Sequence, residues 1–194
     1  MEIILRNEPA ATPKNAPIEK ILPAFFAAML HGYASSDGVV KEVAGLFHRF
    51  SKITVFNGDE HGFEGFKVVD LWEVTPFGNF SFGTIRVIYM GIPVWIMQYQ
   101  GYYEKDVIPF LKLALATSYS RHEFTGGRGP TMFEVEEMES PYHGLRYENH
   151  FQKVGEKTDW RKFDGEEKIL RGSGMGKHAV RVGYHEYSGL LLLH

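Results

Sequence analysis

Residues 80–103 read FSFGTIRVIYMGIPVWIMQYQGYY, and the fold turns on how they pair. Two runs rich in β-branched and aromatic residues flank Met90-Gly91-Ile92-Pro93, a turn signal, so the stretch predicts a β-hairpin. Side chains alternate across a strand. Ile85, Val87 and Tyr89 therefore share one face of the first arm. On the second arm Trp95, Met97 and Tyr99 share a face, and Val94 and Ile96 take the other. Both faces are largely apolar, which suits a hairpin inside a sheet better than one at its edge.

Outward from the hairpin, Phe66–Val74 (FKVVDLWEV) reads as a strand and Thr75–Asn79 as a turn. Further back, Gly45–Phe56 reads as one or two strands, ended by the turn signal Asn57-Gly58-Asp59. Ile18, Ile21, Leu22, Phe25, Phe26, Met29 and Leu30 follow a helical period. Pro17 suits that helix's start, Pro23 threatens a kink and Gly32 suits its stop. After the hairpin, Asp106–Tyr119 reads as a second helix, with Asp106 as its cap and Pro109 in its first turn. Arg121–Pro130 (RHEFTGGRGP) reads as a loop. Strands are expected over 132–138, 144–152, 167–170 and 178–187. The closing LLLLH is too apolar for a loose end and is expected to be paired or packed.

The chain of 194 residues fits one domain: a tail over 1–16, then a single α+β domain over 17–194. A chain this long buries roughly 70% of its unfolded surface and needs no staple. Cys is 0, which removes disulfide and thiolate chemistry and fits a reducing compartment. The formal charge of −3 argues against general nucleic-acid binding. Ile21–Leu30, interrupted by Pro23, is too short to span a bilayer. The N-terminus has neither a basic nor a long apolar signal region, so no membrane association and a cytoplasmic location are expected.

The two halves of the strand region look alike. Gly83 leads to the Gly91 turn and then to Tyr99; Gly165 leads to the 172–176 turn and then to Tyr184. The expected fold is a largely antiparallel, twisted sheet built from two similar hairpin units, about 45–103 and 132–194, with an N-terminal helix and a helix between the units. Gly91-Ile92-Pro93-Val94-Trp95 with Met97, Tyr99 and Gly101 forms a G-x-P-V-W-x-M-x-Y-x-G strand motif. Phe110-Leu111-Lys112 with Ala114-Leu115 forms an FLK-x-AL helix, and Arg128-Gly129-Pro130 an RGP loop. With Phe163, Gly165, Glu167 and the closing Tyr184-His185, these stretches resemble an uncharacterised bacterial domain family over roughly residues 20–194. Some members of that family are fused to helix-turn-helix regulators, which implies a sensing or interaction role. This chain has no helix-turn-helix, and it has Glu186-Tyr187 where the family has a glycine pair.

Nine histidines give no metal-binding spacing, and His122-Glu123 and His185-Glu186 are adjacent pairs that face opposite ways on a strand. No metal and no cofactor is expected: nucleophile-elbow, Walker and dinucleotide motifs are missing from the sequence. Gly126-Gly127-Arg128-Gly129 could offer backbone N–H groups and a guanidinium to an anion. The commoner reading of such a loop is a flexible crossover with a solvated arginine. Trp95, Tyr99, Arg121, Arg128, Tyr184 and His185 are the candidate ligand-binding residues, against the plainer reading of aromatic core and rim packing. A pocket is expected between the sheet face bearing Tyr99 and Tyr184 and the loop 121–130, suited to a small planar or anionic ligand. His185 points away from Tyr184 on a regular strand and joins that pocket only through a bulge or at the strand's end.

Three functions fit this pattern. One is a ligand-binding or regulatory domain with an aromatic pocket. The second is an enzyme of unknown reaction using His185 as general base or acid, with Glu186, Arg121 or Arg128 assisting. The third is a structural protein or a protein-partner binder of toxin–antitoxin type, acting through an exposed sheet edge.

Overall fold

The computed structural model describes residues 16–34, 41–42, 51–151, 159–172 and 179–193. The tail expected over 1–16, the segment 43–50 and the tip of the 172–176 turn lie almost wholly outside the described residues.

The fold is α+β. Helix α1 spans Ile21–His31, following a single 3-10 turn. The strands are β1 (Lys41–Glu42), β2 (Ser51–Asn57), β3 (Phe66–Val74), β4 (Phe80–Tyr89) and β5 (Ile92–Tyr103). Helix α2 (Ile108–Ser120) separates them from β6 (Met132–Glu134), β7 (Leu145–Phe151), β8 (Lys162–Arg171) and β9 (Val180–Leu191). All nine strands form one antiparallel sheet in the order β1-β2-β3-β4-β5-β9-β8-β7-β6. Two meanders thus meet at the sheet's centre through their last strands, β5 and β9. No helix among the described residues is long and apolar enough to cross a membrane.

The β4–β5 turn is two residues long. Met90 and Gly91 both have positive φ, 48° and 81°, as a twist-matched hairpin turn requires. Pro93 cannot donate to a ladder. It sits where the β4–β5 register shifts, between Val87 and Ile88, the position where a strand tolerates proline. Pro23 falls in the first turn of α1 and does not break it. Asp106 makes no cap bond to α2; its carboxylate takes Arg171 at 2.6 Å instead. The strand expected over 132–138 ends at Glu134, before Thr-free, acidic Val135–Glu139. Strands β8 and β9 are longer than expected, and β9 carries the apolar end into the sheet, with Leu191 opposite Trp95.

One sheet face carries the core. On β5, residues 95, 97, 99, 101 and 103 are buried in strict alternation. Both helices cover this face: the Phe25 ring of α1 lies 5.1 Å from Trp95 and 5.7 Å from Tyr119 of α2. Phe110 of α2 meets Phe133 and Tyr142. The other face is open, with Val55, Phe80, Phe82 and Leu190 exposed.

The registers of the two meanders correspond. The β4–β5 ladder shifts between Val87 and Ile88, and the β8–β9 ladder between Ile169 and Leu170, in each case 82 residues on. Tyr99 lies over Gly83 and donates to Asp70 of β3 at 2.7 Å. Tyr187 lies over Gly165 and donates to Asn149 of β7 at 2.5 Å. Tyr99 and Tyr187 face each other directly across the β5–β9 ladder. Glycine spacing aligns Tyr99 with Tyr184, but the residue in the matching register is Tyr187, because the connection from β8 to β9 is longer than that spacing implies.

Candidate functional site

Inward-facing positions of β3, β4, β5, β8 and β9 place polar side chains on one spot of the covered face. Asp70, Glu167 and His185 are buried there, an unusual cost for groups that water would otherwise solvate. Each is matched by a partner. The loop after α2 lies flat on the sheet: Gly127 sits on the Tyr187 ring and Gly129 on Tyr147, where a side chain would collide. Thr125 closes the loop by donating to the Gly129 carbonyl. This close approach inserts Arg128, only 4% exposed, among the strand residues. The flexible loop with a solvated arginine is therefore not what forms.

The Arg128 guanidinium pairs with Glu167 Oε1 at 3.1 Å and contacts His185 Nδ1 at 2.8 Å. It stacks 4.6 Å above the Tyr99 ring and 5.5 Å from Tyr33. Tyr103 donates to Glu167 Oε1 at 2.9 Å and Tyr147 to Oε2 at 2.7 Å. His185 Nε2 lies 3.1 Å from Ser81 Oγ, and its ring stacks on Tyr99 and meets Tyr103 edge-on.

A guanidinium has no acceptor, so at 2.8 Å it must donate to a bare Nδ1. The His185 proton is then on Nε2, donated to Ser81. The 3.6 Å separation of Nδ1 from Glu167 is too long for a hydrogen bond. Burial holds the His185 pKa below its ordinary value, which keeps the ring neutral. Burial alone would raise Glu167, but the Arg128 guanidinium beside it overrides this and lowers the carboxyl to about 2. Burial raises Asp70 to about 6, against the Tyr99 hydrogen bond and the Arg128 charge, which pull it down.

Above this cluster lies a cavity of about 290 Å³. Tyr33, Trp72, Tyr99, Tyr103 and Ile108 supply rings and apolar surface. Lys52, Lys112, Arg128, Asn79, Ser81 and His185 supply the polar groups. Every charged lining residue among those described is a cation; the carboxylates of Asp70 and Glu167 sit behind the tyrosines. The Arg128 Nε has no hydrogen-bond partner among the described residues.

Of the six residues expected from the sequence, the structure brings three together: Tyr99, Arg128 and His185. Trp95 is in the core beneath α1, fully buried, its indole N–H donating to the Trp160 carbonyl. Arg121 ends α2 and is exposed, outside the cavity lining. Tyr184 is on the open face, packed on Tyr102 and capped by Arg181. The pocket between Tyr99, Tyr184 and the loop therefore does not exist as expected. His185 needs no bulge: the site lies on its own face, and Tyr184 is the residue turned away. Asp70, Ser81, Glu167 and the two lysines were not among the six. Asp70 gave a readable signal, a carboxylate at an inward position between Val68 and Trp72 of an apolar strand.

The Asp70 carboxyl makes a prediction about pH. Its folded pKa lies above its ordinary value, so the folded state holds this proton more tightly than the unfolded chain. Stability from this group falls as pH rises from about 4 to about 6. Asn at this position still accepts from Tyr99, as Asn149 does from Tyr187. Asp70→Asn is expected to raise the midpoint of thermal unfolding at pH 7.5 and to leave it unchanged near pH 4. An equal shift at both pH values would show that the Asp70 charge is not the cause.

Comparison with known proteins finds no family model, no curated protein and no solved structure that matches this chain.

Proposed function

We propose that the chain is a small-molecule-binding domain that holds its ligand in the cavity above Tyr99. The observation that carries this reading is Arg128: a buried guanidinium, held by Glu167 and His185, that also lines an open cavity whose other charged lining residues are Lys52 and Lys112. A structural ion pair needs no cavity beside it, whereas a recognition site combines an apolar concave wall with a few oriented polar groups. Catalysis finds less support. A general base at His185 needs a bare nitrogen facing the cavity, but Nδ1 is taken by Arg128 and Nε2 carries the proton. Motifs of the bacterial family that the chain resembles converge here as well: Tyr99, Arg128, Glu167 and His185 come from four separate stretches. That convergence supports a sensing role for the domain.

The test is a thermal-shift screen with a fragment library on the wild type and on Asn79→Trp, which places bulk at an exposed position of the cavity wall. Hits that stabilise the wild type and are lost in Asn79→Trp are expected. No hits, or hits equal in both proteins, would contradict the reading.

We also infer that the two meanders are copies of one unit. The shared register shift, the paired Tyr–Gly packing and the Asp70–Asn149 correspondence support it. In that reading the first copy keeps Ile85 and Met97 where the second carries Glu167 and His185. At that pair of positions one copy supplies apolar core and the other polar groups of the site. A protein partner is the second functional reading, favoured by the exposed Phe80 and Phe82 beside the Tyr102–Tyr184 pair on the open face.

A further inference from the structure

We infer that the ligand of this cavity is an oxyanion, a carboxylate or a phosphate monoester, carried on a flat aromatic frame, and that Ser81 reads it. The inference rests on the binding role proposed above and concerns which chemistry that role serves.

The direction of the hydrogen bonds fixes which groups remain for a ligand. The Tyr99 hydroxyl is spent on Asp70, and the Tyr103 and Tyr147 hydroxyls on Glu167. Both buried carboxylates are thus occupied from the tyrosine side. Arg128 donates to Glu167 and to His185 Nδ1. Since that nitrogen must accept, His185 Nε2–H donates to Ser81 Oγ. The Ser81 oxygen is then an acceptor within the protein, and its own proton is left for the cavity that Ser81 lines. Lys52 and Lys112 on the same lining can only donate. Apart from the Asn79 amide and the Tyr33 hydroxyl, which can each turn either way, the polar groups at this surface are donors, and three are cationic. A group that only accepts and carries negative charge matches them; an amide or alcohol would bring donors to a surface of donors.

The frame follows from the walls. Tyr33 lies edge-on to Trp72 at 5.7 Å, with the Lys112 ammonium 5.2 Å from its ring centre. With Tyr99, Tyr103 and Ile108, these surfaces line a space of about 290 Å³, room for about one or two fused rings.

The experiment is calorimetric titration with matched sets built on benzene, indole and naphthalene: the aryl carboxylate, the aryl phosphate and the neutral carboxamide of each ring. At least one anion is expected to bind about tenfold or more tightly than its carboxamide. Its affinity should fall as salt rises. Ser81→Ala should weaken that anion about tenfold and leave any carboxamide binding unchanged. The carboxylate and phosphate arms decide which oxyanion is preferred. Carboxamides binding as tightly as both anions would overturn the oxyanion while leaving the cavity a binding site. Unchanged anion affinity in Ser81→Ala would overturn the role of Ser81. No binding of any set member, with hits from the fragment screen, would overturn this inference alone; an empty screen as well would overturn the binding role itself.

Discussion

Glu167→Ala is expected to cost about 3–5 kcal/mol of folding stability, the loss seen when one partner of a buried ion pair is removed. Glu167 is fully buried and is the acceptor on which Arg128, Tyr103 and Tyr147 converge. Truncating it leaves a buried guanidinium without its counter-ion and two buried hydroxyls without their acceptor. The cost is one of unsatisfied partners, so removing the charge from both sides should recover part of it. Glu167→Leu combined with Arg128→Met is expected to be less destabilised than the sum of the single changes, which urea unfolding of the four proteins measures. Additive losses would mean that the two side chains are not coupled. The same pair predicts acid sensitivity. Glu167's folded pKa of about 2 lies below its ordinary value. Its contribution is complete above about pH 4.5 and is lost as pH falls toward 2.

Trp95→Ala is expected to cost about 3–5 kcal/mol, the usual range for emptying a large aromatic site in a core. The ring is fully buried between Phe25 at 5.1 Å and Phe163 at 5.6 Å. It joins α1 to the central strands, and its N–H holds the Trp160 carbonyl at 3.0 Å. Few neighbours can move to fill the space, since Phe25 is itself pinned against Tyr119. A loss below about 1 kcal/mol on urea unfolding would place the ring outside the core.

The hairpin was legible because two local signals agree. Alternation over 80–103 fixes the strands, and Met90-Gly91 supplies two residues at positive φ. The helices were legible from spacing, and the central position of β4 and β5 from apolar residues on both faces. The site was legible only in fragments. Strand parity puts Tyr99 and His185 on definite faces, but it cannot say that both faces are the same one. That depends on the β5–β9 register, which pairs Tyr99 with Tyr187 and turns Tyr184 away. A two-residue error in comparing the halves would preserve faces, whereas the difference between Tyr184 and Tyr187 is odd and reverses them. Arg128 illustrates a second limit. Glycines in a loop read as flexibility, yet here their missing side chains let the loop lie against Tyr147 and Tyr187. Only the partners across the sheet distinguish the two uses of glycine.

The inferred oxyanion site depends on Arg128 fixing the proton of His185 on Nε2, which frees the Ser81 proton for the cavity. Long-range proton–nitrogen NMR correlations of the His185 ring, assigned by comparison with His185→Gln and followed from pH 5.5 to 8, test it directly. The predicted result is a neutral ring throughout, with the proton on Nε2 and Nδ1 unprotonated. A proton on Nδ1, or an imidazolium at neutral pH, would contradict the claim and restore His185 as a base facing Ser81.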